Sequence, residues 1–68
     1  MVDKNKLRGA IVRAGYTQLT FAAKLGMSKN TLNSKVNGRS PITTEEAKLM
    51  CRELGIVDAR EKEEIFLA

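Results

Sequence analysis

Apolar residues recur along this chain at three- and four-residue spacing, the pattern of amphipathic helices, in segments that each end close to a glycine. The residues predicted to face the core are Leu7, Ala10, Ile11 and Ala14 in the first segment, Phe21, Ala22 and Leu25 in the second, and Ala47, Met50, Cys51 and Leu54 in the fourth. The predicted helices cover about residues 3–14, 18–25, 29–36 and 44–54. The pattern predicts an all-α fold.

Residues that favour helix ends flank the same segments. Thr17 precedes the second segment, Ser28 the third and Thr43 the fourth, and each is suited to accept a hydrogen bond from a free N–H of the first turn. Glu46 follows Thr43 by three residues, so we expect a capping box at the start of the fourth helix. Glycine, which adopts the left-handed backbone without strain, supplies the turn after each helix.

The tail, residues 58–68, begins with charged residues and ends with the apolar Ile65-Phe66-Leu67. This composition is consistent with a short fifth helix or with an extended arm, and both remain open. At 68 residues the chain has room for one domain, so we interpret residues 1–68 as a single domain.

Charge is unevenly distributed along the chain, whose formal net charge is +4. Residues 1–40 contain eight Lys and Arg against one Asp, a net charge of +7, whereas residues 41–68 have a net charge of −3. Basic residues often do no more than solvate a helix face, but here they coincide with the most distinctive motif in the chain. We therefore expect the first part of the chain to attract phosphate.

That motif is Thr17–Gly38, in which two short helical patterns flank Gly26. It resembles the helix-turn-helix of the Cro and C1-type phage repressor family, also called XRE-like, and the resemblance covers about residues 4–56. The matching positions are Thr17-Gln18, Ala22, Gly26, Met27-Ser28, Thr31-Leu32 and Asn37-Gly38. The resemblance implies a compact four- to five-helix, lambda-repressor-like DNA-binding domain, with Ala22 small where two helices cross and Gly26 in the turn.

The exposed face of the third helix is the predicted base-reading surface. Its members are Lys29, Asn30, Asn33 and Ser34, which lie away from Leu32 on the helical wheel. In helix-turn-helix proteins the N-terminal part of the second helix of the motif approaches base edges in the major groove. Asn30 or Asn33 can pair with adenine N6 and N7 through both amide atoms, and Lys29 can donate to guanine O6 and N7.

A second set of residues is predicted to contact the DNA backbone. The resemblance implies such contacts for Gln18, Ser28, Asn37, Gly38 and Arg39, and we add Lys35. The free N–H groups at the start of the second helix and the charge of Arg39 are suited to phosphate. Two of these residues have a purely structural alternative, since Ser28 can serve only as a helix cap and Asn37 only as a helix end.

Lys35 and Val36 depart from the family pattern. Lys35 stands where the family commonly has an apolar residue that closes the recognition helix. Val36 stands one place later, where a polar residue is common. We expect Val36 to replace that anchor in the core.

The composition argues against an enzyme and against a cofactor. The chain has no histidine, no metal-ligand spacing and no phosphate-binding glycine loop, and its three aromatic residues do not suggest a small-molecule pocket. Cys51 is the only cysteine and is interpreted as a small buried apolar residue, so no intrachain disulfide is possible and a reducing, cytoplasmic setting is expected. The pattern predicts neither a leader peptide nor a membrane span.

Two functions compete. The first is sequence-specific regulation of transcription on double-stranded DNA by a Cro-like repressor of a phage or prophage, bound as a homodimer to a palindromic operator in a bacterial or phage-infected cell. The second is a protein-interaction module of the same fold, such as the antitoxin of a toxin pair, docking through the acidic second half and Ile65-Phe66-Leu67. The Lys-Asn-Asn-Ser surface favours the first function, because an interaction module has no need of it.

Overall fold

A computed structural model describes residues 2–67 and folds them into five helices. They are α1 (Lys4–Arg13), α2 (Gln18–Lys24), α3 (Lys29–Val36), α4 (Thr44–Leu54) and α5 (Ala59–Phe66). The all-α prediction is confirmed. The bounds of α1 to α4 agree with the four predicted helices to within one residue at either end. The tail forms a helix and not an extended arm. Within the described range, no helix is long and apolar enough to cross a membrane.

Helix starts are set by side chains that accept hydrogen bonds from the first turn. The Thr43 hydroxyl accepts from the Glu46 N–H at 3.1 Å while the Glu46 carboxylate accepts from the Thr43 N–H at 2.9 Å, so the predicted capping box is confirmed. Thr17 forms an equivalent box with Thr20. Ser28 caps α3 by accepting from the N–H of its third residue. Because these bonds are local, the sequence itself determines where the helices begin.

One apolar cluster holds the five helices together. Its buried members are Leu7, Ala10, Ile11, Phe21, Ala22, Leu32, Val36, Met50, Cys51, Ile56 and Ile65. Burial of each large member contributes about 1.5–3 kcal/mol. Val36 is fully buried, which confirms that it anchors the end of α3. Cys51 is buried as expected, and burial raises the pKa of its thiol.

Some predicted core residues lie elsewhere. Ala14, expected in the core, is exposed because α1 ends one residue earlier and Gly15, with a φ of +88°, turns the chain away. Leu25 and Leu54 are half-buried against the edge of the core, and Ala47 is half-buried in an open groove. The helical spacing identified the correct side of each helix but not the depth of its terminal residues.

The contact of α5 with α1 closes the core. Ile65 is 2% exposed, and its carbonyl accepts a hydrogen bond from the Asp3 N–H at 2.7 Å. The ion pairs across the same contact are Lys6–Glu64 at 3.9 Å and Arg13–Glu61 at 2.8 Å. The apolar end of the tail is therefore divided, since Ile65 belongs to the core whereas Leu67 is 74% exposed.

Candidate nucleic-acid interface

The turn between α2 and α3 determines how these two helices cross. Gly26 has a φ of +72°, a left-handed value at which any side chain is strained, although open space surrounds it. The Met27 N–H then donates to the Ala22 carbonyl at 3.0 Å, which folds the chain back on α2. Ala22 is only 1% exposed, so a larger side chain there would push the helices apart. This geometry agrees with the scaffold roles expected of Ala22 and Gly26.

The outer side of α3 carries Asn30, Asn33 and Ser34, three of the four polar residues singled out in the sequence. The fourth, Lys29, was expected to lie away from Leu32, but it stands three residues before Leu32 and seven before Val36, so it lies on their side of the helix and is exposed at its first turn. Leu32 and Val36 are buried and define the inner side of the helix. The residues spaced i, i+3, i+4 and i+7 on the outer side are Asn30, Asn33, Ser34 and Asn37. Lys29 and Asn30 are exposed in the first turn, whereas the later polar residues are half-buried. Below, the polar face of α3 means Lys29, Asn30, Asn33 and Ser34.

Three hydrogen-bonded side chains connect α1 to this polar face. Arg8 donates to Asn37 Oδ1 at 2.7 Å, and Asn37 Nδ2 donates to Asn33 Oδ1 at 3.2 Å. Asn37 therefore does more than end α3, because it bridges Arg8 to the polar face. Sequence reasoning missed Arg8, which lies 29 positions from Asn37, and no local pattern signals so distant a contact.

The side chain of Lys35 is engaged within the protein. Its Nζ lies 3.0 Å from Glu46 Oε1 and 3.0 Å from the Pro41 carbonyl oxygen, and the side chain is only 13% exposed. The hydrogen bond from the Thr43 N–H, followed by that from Lys35, holds the pKa of the Glu46 carboxyl below its ordinary value. Lys35 thus joins the end of α3 to the start of α4.

The other residues predicted near phosphate lie at the two ends of the motif. Gln18 is the half-buried first residue of α2, and Ser28 is exposed while its hydroxyl caps α3. At the far end, Gly38 has a φ of +80° and the Arg39 N–H donates to the Ser34 carbonyl at 2.9 Å. The loop therefore folds back on α3, and the side chain of Arg39 remains exposed.

The positive charge of residues 1–40 is partly neutralised by the fold. Lys6, Arg13 and Lys35 pair with acidic residues of α4 and α5. Among the residues that the structure describes, the bases of this segment without an ion pair are Lys4, Arg8, Lys24, Lys29 and Arg39. Charge counted along the sequence therefore exceeds the charge that is free to meet phosphate.

Comparison with protein families gives a match that spans the motif and its surroundings. A family model described as helix-turn-helix matches residues 7–62, from within α1 into α5. No significant match was found among curated proteins or among solved structures. The turn at Gly26 and the two helices beside it lie inside the matched range.

Proposed function

Because the chain belongs to the Cro/C1-type helix-turn-helix family of DNA-binding transcription regulators, we propose that it is a sequence-specific repressor of the Cro kind. In this proposal a phage or prophage encodes the protein, which acts in the cytoplasm by occupying an operator. The observation that carries this proposal is the polar face of α3, which lies on a helix whose other side is anchored in the core. A helix held in this way can enter the major groove without disturbing the fold. The proposed activity is binding and not catalysis.

Base reading begins in the first turn of α3. Asn30 is exposed, and within residues 2–67 its side-chain amide makes no hydrogen bond, so both amide atoms are available to adenine N6 and N7. Lys29, beside it, supplies a donor for guanine O6 and N7. Ser34, one turn later, offers a hydroxyl that donates or accepts and so discriminates less.

Phosphate contacts are proposed at the two ends of the motif. Gln18 and Ser28 lie at the starts of α2 and α3, where backbone N–H groups favour an anion. Gly38 and Arg39 lie in the loop after α3, and Arg39 is exposed, so its guanidinium can reach the DNA backbone. We leave Lys35 out of this set, because its ammonium is held by Glu46.

Two copies are proposed to bind one palindromic operator. One short helix reads only a few base pairs, and half-sites in this class of protein lie about 34 Å apart. The longest dimension of the described chain is 28 Å. Two copies therefore fit side by side on one face of the duplex.

The proposal is tested by selecting bound sequences from random duplexes at low salt with the purified protein, and by footprinting the winners. We expect an enriched site with two-fold symmetry. A protein with both asparagines of the polar face replaced, Asn30→Ala together with Asn33→Ala, is the matched control and should not enrich that site. Failure of the unaltered protein to enrich any sequence would contradict the proposal.

One observation favours the interaction module as a second candidate. An open, mainly apolar groove of about 500 Å³ lies between the start of α4 and the end of α5, with Ile42, Ala47, Phe66 and Leu67 among its lining residues. A toxin segment docked there would leave the polar face of α3 unused. Without sequence enrichment in the selection experiment, this candidate becomes the better one.

A further inference from the structure

We infer that Arg8 is a positioning residue for base recognition: acting through Asn37, it orients the side-chain amide of Asn33 so that Asn33 presents its NH2 group to DNA and reads guanine. The inference rests on the proposed function, and it assigns a base class to one position of the polar face. It also revises the expectation that Asn33 pairs with adenine.

The direction of both hydrogen bonds, Arg8 to Asn37 and Asn37 to Asn33, follows from the chemistry of Arg8. A guanidinium has only donors, so Arg8 selects the oxygen of the Asn37 amide, which it reaches at 2.7 Å. The nitrogen of Asn37 is then the atom that faces Asn33, and as a donor it selects Asn33 Oδ1, at 3.2 Å. Arg8 thus orients the amide of Asn37, and Asn37 orients the amide of Asn33. We call these two hydrogen bonds the side-chain relay.

These two hydrogen bonds leave the NH2 group of Asn33 as the donor that the polar face can offer to DNA. Asn33 Oδ1 is engaged, and among residues 2–67 no hydrogen bond holds Asn33 Nδ2. Asn33 Oδ1 keeps a second lone pair. Pairing with adenine, which needs the nitrogen for N7 and the oxygen for N6, would nevertheless require that oxygen to accept from Asn37 and from the base at once. Guanine presents two adjacent acceptors, O6 and N7, and therefore suits an NH2 group alone. Asn30, whose amide is not held in this way, keeps the capacity for adenine.

The bond from Arg8 to Asn37 is the stronger of the two hydrogen bonds. It is charge-assisted and short, and Arg8 makes no ion pair among the residues that the structure describes, so no carboxylate competes for its guanidinium. Within residues 2–67 the other N–H groups of Arg8 make no hydrogen bond, so a phosphate can bind them without breaking the bond to Asn37. DNA binding and amide orientation are therefore compatible.

The experiment compares binding to operators that differ at one base pair. The pair is identified first as the position of the selected operator at which Asn33→Ala loses discrimination. Affinities for all four base pairs at that position are then measured for the unaltered protein, Arg8→Met, Arg8→Lys and Arg13→Met. Arg13 is the matched control, since it is also an arginine of α1 but pairs with Glu61 on α5.

We expect the unaltered protein to prefer guanine over adenine, and Arg8→Met to reduce this preference about five- to tenfold. Arg8→Lys, which can still donate to Asn37, should retain most of it, and Arg13→Met should leave it unchanged. A preference of the unaltered protein for adenine would overturn the inference. So would an equal loss on all four operators for Arg8→Met, because that is the behaviour of a residue that binds only phosphate.

A second measurement on the free protein separates the side-chain relay from the DNA function. The side-chain NH2 resonances of Asn33 and Asn37 should shift in Arg8→Met and stay in place in Arg13→Met. Unchanged resonances would show that the relay is absent, even if DNA binding is confirmed. If the resonances shift but the protein selects no operator, the hydrogen bonds from Arg8 to Asn33 are present. The proposed function and the role of Asn33 in reading bases are then both contradicted.

Discussion

Replacing Asn30 and Arg39 one at a time tests whether base reading and phosphate binding are carried by different residues. We expect Asn30→Ala to weaken binding to the selected operator by ~1–3 kcal/mol and to change binding to random DNA little, because one base contact is lost. Arg39→Ala should weaken both complexes alike, since a phosphate contact carries no sequence information. Titration of labelled operator and of a shuffled duplex measures both effects. Equal losses on the two duplexes for the Asn30 variant would exclude it from base reading, and Arg60→Ala on α5 serves as the control.

Glu46 accepts from two donors, and its two roles can be separated by substitution. Glu46→Gln can still form the capping box with Thr43 but loses the ion pair with Lys35, so we expect a cost of about 0.5–1 kcal/mol in the free energy of unfolding. Glu46→Ala loses the cap as well, at a further cost of about 1 kcal/mol. Urea unfolding near neutral pH measures the difference, and equal stability of the two variants would contradict it.

The same carboxylate makes stability depend on pH in a defined direction. The pKa of Glu46 is lower in the folded protein than its ordinary value of 4.5, so its stabilising effect is present above that pH and is lost as the pH falls toward the folded pKa. We expect acidification from neutral pH to below 4.5 to destabilise the unaltered protein more than Glu46→Gln. Identical acid losses in the two proteins would show that the ionised carboxylate of Glu46, bonded to the Thr43 N–H and paired with Lys35, contributes nothing to stability.

The sequence predicted which side chains lie on α3 but not what several of them touch. Lys35 was expected at the DNA backbone, yet its partner Glu46 lies 11 positions away, across a loop whose path no local rule provides. Arg8 was not singled out at all, because its partner Asn37 is brought near only when α1 packs against α3. Contacts of this kind follow from tertiary packing, which residue spacing along one helix does not encode.

Helices, by contrast, could be predicted almost completely, because their ends depend on neighbours in sequence. Thr17, Ser28 and Thr43 accept hydrogen bonds from N–H groups three positions later, and these bonds need no distant partner. Only α5 stayed undecided between helix and arm. Its last turn is held by the bond from Asp3 to Ile65, and that contact joins the two ends of the described chain.

The packing of α5 can be tested with two substitutions in its last turn and just beyond. Ile65→Ala removes a side chain that is almost wholly buried, and we expect it to destabilise the protein by about 2–4 kcal/mol. Leu67→Ala removes a largely exposed side chain and should change the stability by less than about 0.5 kcal/mol. Chemical denaturation of both variants provides the measurement. Similar stabilities would mean that α5 does not close the core.

At the scale of the whole molecule, the fold decides how much positive charge can meet DNA. Ion pairs with α4 and α5 engage Lys6, Arg13 and Lys35, so these residues should release no counterions on binding. We expect Arg13→Gln to leave the slope of log affinity against log salt unchanged, and Arg39→Gln to reduce it by about one per bound copy. Binding measured over a range of salt concentrations checks both. A shallower slope for Arg13→Gln would show that its pair with Glu61 opens on DNA.

The two sides of α3 are subject to different physical constraints, although the helix has only eight residues. Leu32 and Val36 tolerate few replacements, because each fills part of the core, whereas Asn30 touches no other side chain through a hydrogen bond in the described chain. If α3 reads DNA as proposed, exchanging one or two outward residues would match a new operator while the protein keeps its stability. A protein built in this way would change the DNA sequence that it binds through few substitutions, and each intermediate variant would still fold.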